Sequence, residues 1–313
     1  MPRPEVASRT PAETPRVVVD PTWGYRRLDP MPTSAELEGF YESRYRDLLG
    51  DGGRAPDLAR LVGSGPDHDR ERSWLAATLH ADVLDAIAPV AAAGLPRRSL
   101  DVGCGTGDLV GALAAAGWDA RGIEPATEIA LVGQGRGLRI EATSAASFLE
   151  RWRSGSGDRF GAITVLNVLE HVPEPAALVT GLIAALAPGG RLVVRVPNDF
   201  SALQMAAQQA SGREPWWIAI PDHLNYFDHG SIAGLLERLG LEIVDRSADF
   251  PMEFFLLMGE DYVGDPTVGS VVHERRRRLD LSLDPDVRRR LGRAWAAAGV
   301  GRNAFIVARR PST

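Results

Sequence analysis

The sequence predicts an α/β fold built on a doubly wound parallel sheet, and three observations predict it. From about residue 95 to 198, short apolar runs bounded by turn residues alternate with helical segments. A glycine-rich turn, LDVGCGTGDL at 100–109, follows the first of those runs. Several of the runs are apolar on both alternations, as strands covered on both faces must be.

Residues 1–20 are rich in Pro, Thr and charge and are expected as a disordered tail. Residues 21–69 are expected as a helical extension. There PTSAELEGFYESRYRDLL has a Ser34 cap, Glu36 in the first turn, and apolar or aromatic residues at Leu37, Phe40, Tyr41, Tyr45 and Leu48. A Gly/Pro/Asp-rich loop covers 50–67, and a helix over about 70–92 opens the main domain, 70–313. RSLDVG reads as the first strand and GDLVGALAAAG as a helix stopped at Gly117. WDARGIEP is the next strand, ATEIALVGQG a helix and LRIEAT the third strand. FGAITVLNVLEHV holds a fourth strand running into a loop, PAALVTGLIAALAPGG a helix with a Gly stop, and RLVVRVPN a fifth strand. Residues 199–229 read as an irregular acceptor loop. SIAGLLERLG is a capped helix, LEIVDRSA a sixth strand, 251–300 a helical insertion and NAFIVARR a final strand.

Composition narrows the function. The chain has 313 residues and a formal charge of −6. That acidity argues against a nucleic-acid partner, which wants a basic stripe. No run approaches the roughly 18 uninterrupted apolar residues of a membrane helix, and MPRPEVASRTPAETPR lacks the apolar stretch of a secretory signal. The single cysteine, Cys104, excludes an internal disulfide and points to a reducing, cytoplasmic setting. Every basic side chain is Arg or His, which removes lysine as a catalytic base.

A glycine-rich turn after the first strand of such a sheet marks a ligand site, because backbone comes close and the next helix presents free N–H groups. Here Gly103, Gly105 and Gly107 are spaced G-x-G-x-G, with Asp101 before them and Asp108 where the dinucleotide fingerprint wants glycine. A carboxylate at Asp108 is expected to repel a pyrophosphate. Glu124, followed by Pro125, lies about twenty residues on, where an acid accepts hydrogen bonds from ribose hydroxyls. A nucleoside is expected, without an obvious phosphate chain.

At this point the chain resembles the class I S-adenosylmethionine-dependent methyltransferases. The resemblance rests on Asp101-Val-Gly-Cys-Gly-Thr-Gly107, Glu124, VLNVLEHVPEP (165–175) and LAPGGRLVVRVPN (186–198), in family order over roughly 95–250. It implies a Rossmann-like seven-stranded sheet with the last strand inserted antiparallel, and S-adenosylmethionine as cofactor. It implies that Asp101, Gly103, Cys104, Gly105 and Gly107 lie under the amino-acid part of the cofactor. Glu124 and Pro125 then hold the ribose, and Leu166 and Asn167 face the sulfonium. Tyr45 on the N-terminal helix is a candidate for the cofactor's carboxylate end, against plain packing of an amphipathic helix. EATSAASFL lacks the Asp that the family often places on the adenine amino group; Glu141, Ser144 or backbone replaces it.

Methyl transfer to a hydroxyl needs alignment and a general base. His223 in PDHLNYFD is the first candidate, with Asp222 beside it and Tyr226 close by; structural packing is the alternative. His171 is expected to shape its loop. Asp222, His223, Asp228 and His229 match no metal-site spacing, so no metal is expected. Trp216, Trp217 and Phe227 are expected as pocket walls or core. MEFFLLMG (252–259) suits core or a homodimer contact, and ERRRRLDLSLDPDVRRR a solvated helix face. The expected function is methylation of a small molecule, with O-methylation of a sugar or natural product in front. The rivals are an NAD(P)-dependent oxidoreductase and a cofactor-binding module without chemistry.

Overall fold

The computed structural model describes residues 15–33, 35–37, 39, 65–155 and 157–312. Seven strands form the main sheet: β3 (Arg98–Val102), β4 (Asp119–Glu124), β5 (Ile140–Ala142), β6 (Phe160–Leu166), β7 (Leu186–Pro197), β9 (Glu242–Ala248) and β10 (Asn303–Arg309). Their order is β5-β4-β3-β6-β7-β10-β9. β10 runs antiparallel to both neighbours, and the pairs from β5 through β7 are parallel. Period-2 alternation explains why these runs became strands. In β7, Leu192, Val194 and Val196 pack into one core and Val193 into the other. In β10, Ala304, Ile306 and Ala308 face the first core and Val307 the second. Each such fully buried aliphatic side chain contributes roughly 1.5–3 kcal/mol.

The helices cover both faces. Pro66–Leu75 (α1), a π-helical turn at Ala76–His80 and Ala81–Ala92 (α2) run on continuously. This helix is long and apolar enough by composition to cross a membrane, with a mean hydropathy of 1.4 over its best window. Its apolar stripe, Val83, Ile87 and Val90, packs under the sheet instead, and Asp82 takes a two-pronged ion pair from Arg288 at 2.6 and 2.7 Å. Asp108–Ala115 (α3), Thr127–Gly135 (α4), Ala145–Ser154 (α5), Pro175–Ala185 (α6) and His229–Arg238 (α8) connect the strands.

The structure departs from expectation in three places. The tail and helical extension contain strands: β1 (Arg16–Val19) and β2 (Arg26–Asp29) form a three-stranded antiparallel sheet with β8 (Asn225–Tyr226). Past β2, Thr33 Oγ1 accepts from Glu36 N at 3.3 Å and the Glu36 carboxylate accepts from Thr33 N at 2.8 Å, while Ser34 lies outside the described residues. Tyr41 and Tyr45 lie outside the described residues. Residues 199–229 are not wholly irregular, since Ala202–Ser211 (α7) forms on a Ser201–Gln204 capping box. β7 starts at Leu186, so Gly189 and Gly190 lie inside the strand rather than ending α6. The 251–300 insertion is helical as expected: Glu253–Leu257 (α9), Pro266–Ser282 (α10) and Pro285–Ala297 (α11).

Candidate active site

Strand order reverses between β3 and β6, and the crevice beyond their C-terminal ends is where such sheets bind ligands. A cavity of about 1890 Å³ opens there. It is lined by the glycine turn, the end of β4, the end of β6, α1 and part of the insertion. Asp101, Gly103, Cys104, Gly105, Glu124, Pro125, Leu166 and Asn167 all line it.

The three glycines do different work. All have positive φ, at +68°, +55° and +83° for Gly103, Gly105 and Gly107. A Cβ on Gly105 would meet nothing within 4 Å, so this backbone faces open cavity. A Cβ on Gly107 would lie 2.4 Å from Ile140 Cδ1, so Gly107 is the close-packing glycine and does not line the cavity. Cys104 turns its sulfur over Gly122 of β4, where a Cβ would come within 2.5 Å of Sγ. Burial raises the Cys104 thiol pKa further.

Glu124 braces the turn. Its carboxylate accepts from Gly105 N and Ala126 N, both at 3.0 Å, and it is raised by burial against those two bonds. Asp101 accepts from Thr164 Oγ1 at 2.6 Å. Burial pushes the Asp101 carboxyl up to about 7, against that hydrogen bond and with help from the Glu124 charge. Asp108 is not a bare charge: Arg136 reaches it at 2.7 Å and Arg72 at 3.8 Å. The expected repulsion of a pyrophosphate is therefore compensated, and Asp108 does not argue against a dinucleotide. Beyond β5, Glu141 pairs with Arg151 outside the cavity. Ser144 is committed to capping α5, accepting from Ser147 N at 3.1 Å. That leaves backbone and Thr143, whose Oγ1 accepts from Arg151 at 3.2 Å, as the polar surface of the segment.

Asn167 lines the cavity with a φ of +56°, but its amide is engaged elsewhere. Arg195 donates to its Oδ1, and its Nδ2 donates to Glu170 at 3.2 Å. Past this point His171, Asp222 and His223 converge. His171 Nδ1 lies 2.8 Å from the Asp222 carbonyl oxygen, which only accepts, so Nδ1 carries the proton. The Asp222 carboxylate is 3.3 Å from the same nitrogen, and the His223 ring sits edge-on at 5.1 Å. Burial lowers the His171 pKa, but Asp222 and Glu170 outweigh it and hold it above the ordinary histidine value. Trp216 and Trp217 line the same region in edge contact at 4.9 Å.

Tyr226 fails as a catalytic candidate, Phe227 takes the core of its two alternatives, and Asp228 and His229 serve the fold. Tyr226 is wholly buried in the small sheet's core with Leu28, Leu37 and Leu224, away from the cavity. Phe227 packs on Tyr25 at 5.0 Å in the main core. Asp228 caps α8, and His229 faces the Val300 carbonyl at 3.3 Å. The structure brings His171 onto Asp222, 51 residues away, a pairing with no local signal in the sequence. Of the charge run, Arg276 is 5% exposed and Arg277 pairs with Glu71 at 2.9 Å, so these two are not a solvated face.

A family model described as a methyltransferase domain matches residues 67–246. A ubiquinone biosynthesis O-methyltransferase of Xylella fastidiosa strain 9a5c is 37% identical over 156 residues, which are 48% of this chain and 63% of that protein. The enzyme of the same name from Aeromonas salmonicida is 27% identical over 48% of this chain and 65% of its own. The chain thus spans just under two thirds of these relatives. Among solved structures, a Burkholderia thailandensis 1,6-didemethyltoxoflavin N1-methyltransferase is 16% identical and overlays with a TM-score of 0.48, over 95% of this chain and 99% of that one.

Proposed function

We propose that this chain, which belongs to the methyltransferase-domain family and with it to the class I S-adenosylmethionine-dependent superfamily, carries a methyl group from S-adenosylmethionine to a small-molecule hydroxyl. The observation that carries the donor assignment is Gly105. Its missing side chain opens directly on the cavity while Glu124 braces the same peptide from behind. A nucleoside with an amino-acid tail fits that cradle without a phosphate site. When bound, the donor supplies an electrophilic methyl.

The residues then divide the work. Gly103 and Gly105 admit the amino-acid tail, and Glu124 keeps lone pairs for ribose hydroxyls beyond its two backbone bonds. Asp101, ionised, faces the tail's ammonium. His171, its Nδ1–H held by Asp222, would present Nε2 to take the proton of an acceptor hydroxyl. His223 and the two tryptophans bound the acceptor side. Sugars and natural products bearing a hydroxyl suit so large a chamber, and a cytoplasmic setting suits the unpaired Cys104.

A second reading has one observation behind it. His171, Asp222 and His223 each offer a ligand atom within 4.8 Å of the others, a donor set that suits a divalent transition metal. The Asp222 carbonyl's claim on His171 Nδ1 favours the proton reading. Turnover that survives exhaustive chelation supports it; loss restored by one divalent metal supports the other.

Calorimetric titration with S-adenosylhomocysteine, NAD and NADP tests the donor. Micromolar binding of the first alone is expected, and NAD bound in its place would overturn the assignment. Glu124→Ala should weaken S-adenosylhomocysteine by about 1–3 kcal/mol, the cost of charge-assisted hydrogen bonds. Unchanged affinity would remove Glu124 from the ribose. The Asp101 carboxyl sets a pH dependence with a definite sign. The ammonium of the ligand wants the ionised carboxylate, so below about pH 7 the proton must first leave. Affinity should rise with pH through that value, by up to about tenfold per unit, and level off above it. Titrations from acid to alkaline pH check this, and Asp101→Asn should flatten the profile.

A further inference from the structure

The Asp249 carboxylate, just past β9, gathers donors from three other elements. Its Oδ2 accepts from Arg195 Nη2 of β7 at 2.9 Å, from Arg276 Nη2 of α10 at 2.7 Å and from Asn303 Nδ2 of β10 at 2.9 Å. Its Oδ1 accepts from Asn303 N at 2.8 Å. Burial pushes this carboxyl up, but Arg276 and Arg195 outweigh it and hold it well below the usual carboxylate range. Arg276 is itself tightly placed: its guanidinium lies over the Trp74 ring at 5.0 Å, and Asp280 stands 3.7 Å from its Nε. Trp74 in turn donates to Asp280 at 3.1 Å.

The chain of contacts ends at the donor site. Arg195 is shared between Asp249 and Asn167: its Nη1 donates to the Asn167 side chain, and its carbonyl accepts from Asn167 N at 2.7 Å. Asn167 sits in a left-handed conformation that asparagine tolerates, and its N–H, Oδ1 and Nδ2 are all held by Arg195 or Glu170. With Arg276 gone, Asp249 loses one of its two guanidinium partners. A carboxylate with free lone pairs draws a guanidinium into a two-pronged pair. Arg195, already 2.9 Å from Asp249, is drawn in, and the pull takes it off Asn167.

We propose that Arg276 is a positioning residue for the methyl-donor site, acting through Asp249 and Arg195 on Asn167, so that the 251–300 insertion is wired into donor binding as well as covering the cavity. This rests on the reading that Asn167 borders the donor. Arg276 itself also lines the cavity, so the response of Asn167, and not affinity alone, separates the relay from direct contact with the donor.

Titration of the full chain with S-adenosylhomocysteine tests it without knowing the acceptor. Arg276→Gln should bind at least about fivefold more weakly than the wild type, and Arg276→Lys should stay within about twofold. Arg293→Gln is the control. It removes the ion pair of α11 with Asp245, 2.9 Å long, and leaves Asp249 alone, so its affinity should be unchanged. The Asn167 side-chain amide resonances should move in Arg276→Gln and stay in Arg293→Gln. Should Arg276→Gln not fold, Arg276→Met, unbranched and uncharged, carries the same expected loss. Arg276→Gln or Arg276→Met folded and within twofold of the wild type would overturn the proposal. A wild type that binds no S-adenosylhomocysteine would instead overturn the donor reading beneath it.

Discussion

Gly105→Val abolishes S-adenosylhomocysteine binding and leaves the protein folded. The first half follows from space: a side chain on Gly105 grows into open cavity, where the ligand's amino-acid tail would lie. The second half follows because nothing inside the protein is displaced. Strain from a β-branched residue at a φ of +55° costs on the order of 1–3 kcal/mol, which a domain of this size withstands. Gly107→Val separates the two effects. Its Cβ would strike Ile140 at 2.4 Å and Leu138 at 2.9 Å, so it should lower the melting temperature before it touches the ligand. Calorimetry and thermal melts on the pair give the answer. A Gly105→Val protein that still binds would show that the tail lies elsewhere.

His171→Ala should cut turnover by about 10²–10⁴-fold with donor affinity close to the wild type, the range expected for loss of a positioned general base. His223→Ala, which removes a neighbour in edge contact, should slow turnover less. The pH profile adds a test that packing alone would not pass. A base must be neutral, and Asp222 and Glu170 hold His171 protonated to higher pH than an ordinary histidine. Activity should therefore rise with pH through a value above the usual histidine range. Asp222→Asn should shift that limb to lower pH. A limb unmoved in Asp222→Asn would take the pair out of proton transfer.

How much of this was legible depended on how far each cause lay along the chain. The strands of the main sheet were readable because each is a short run bounded by its own turn residues, and the position of Glu124 was readable because its spacing from the glycine turn is local. The role of Gly107 was not, since a glycine facing ligand and one facing Ile140 look alike until β5 is placed. β1 was missed because RVVV is four residues long and pairs only with β2, which needs β8 some 200 residues on. Helix α7 was missed although its signal was present: Ser201 and Gln204 are spaced as a capping box. Arg276 was misread because composition cannot tell a buried guanidinium from a solvated one. The difference is made by Trp74 and Asp249, each distant in sequence.

The place of β10 has a consequence for how the molecule is made. β10 follows β9 in the chain, yet it fills the gap between β9 and β7. As the polypeptide leaves a ribosome, β9 emerges with no neighbour to bond, and the edge of β7 stays bare until Asn303–Arg309 appear. The Asn303 contacts to Asp249 arrive with the same strand. The glycine turn and Glu124 can assemble early, on β3, β4 and their helices, while the far wall of the proposed donor site waits for β10. A nascent chain stalled before Asn303 would carry a formed nucleoside cradle beside an open, aggregation-prone edge.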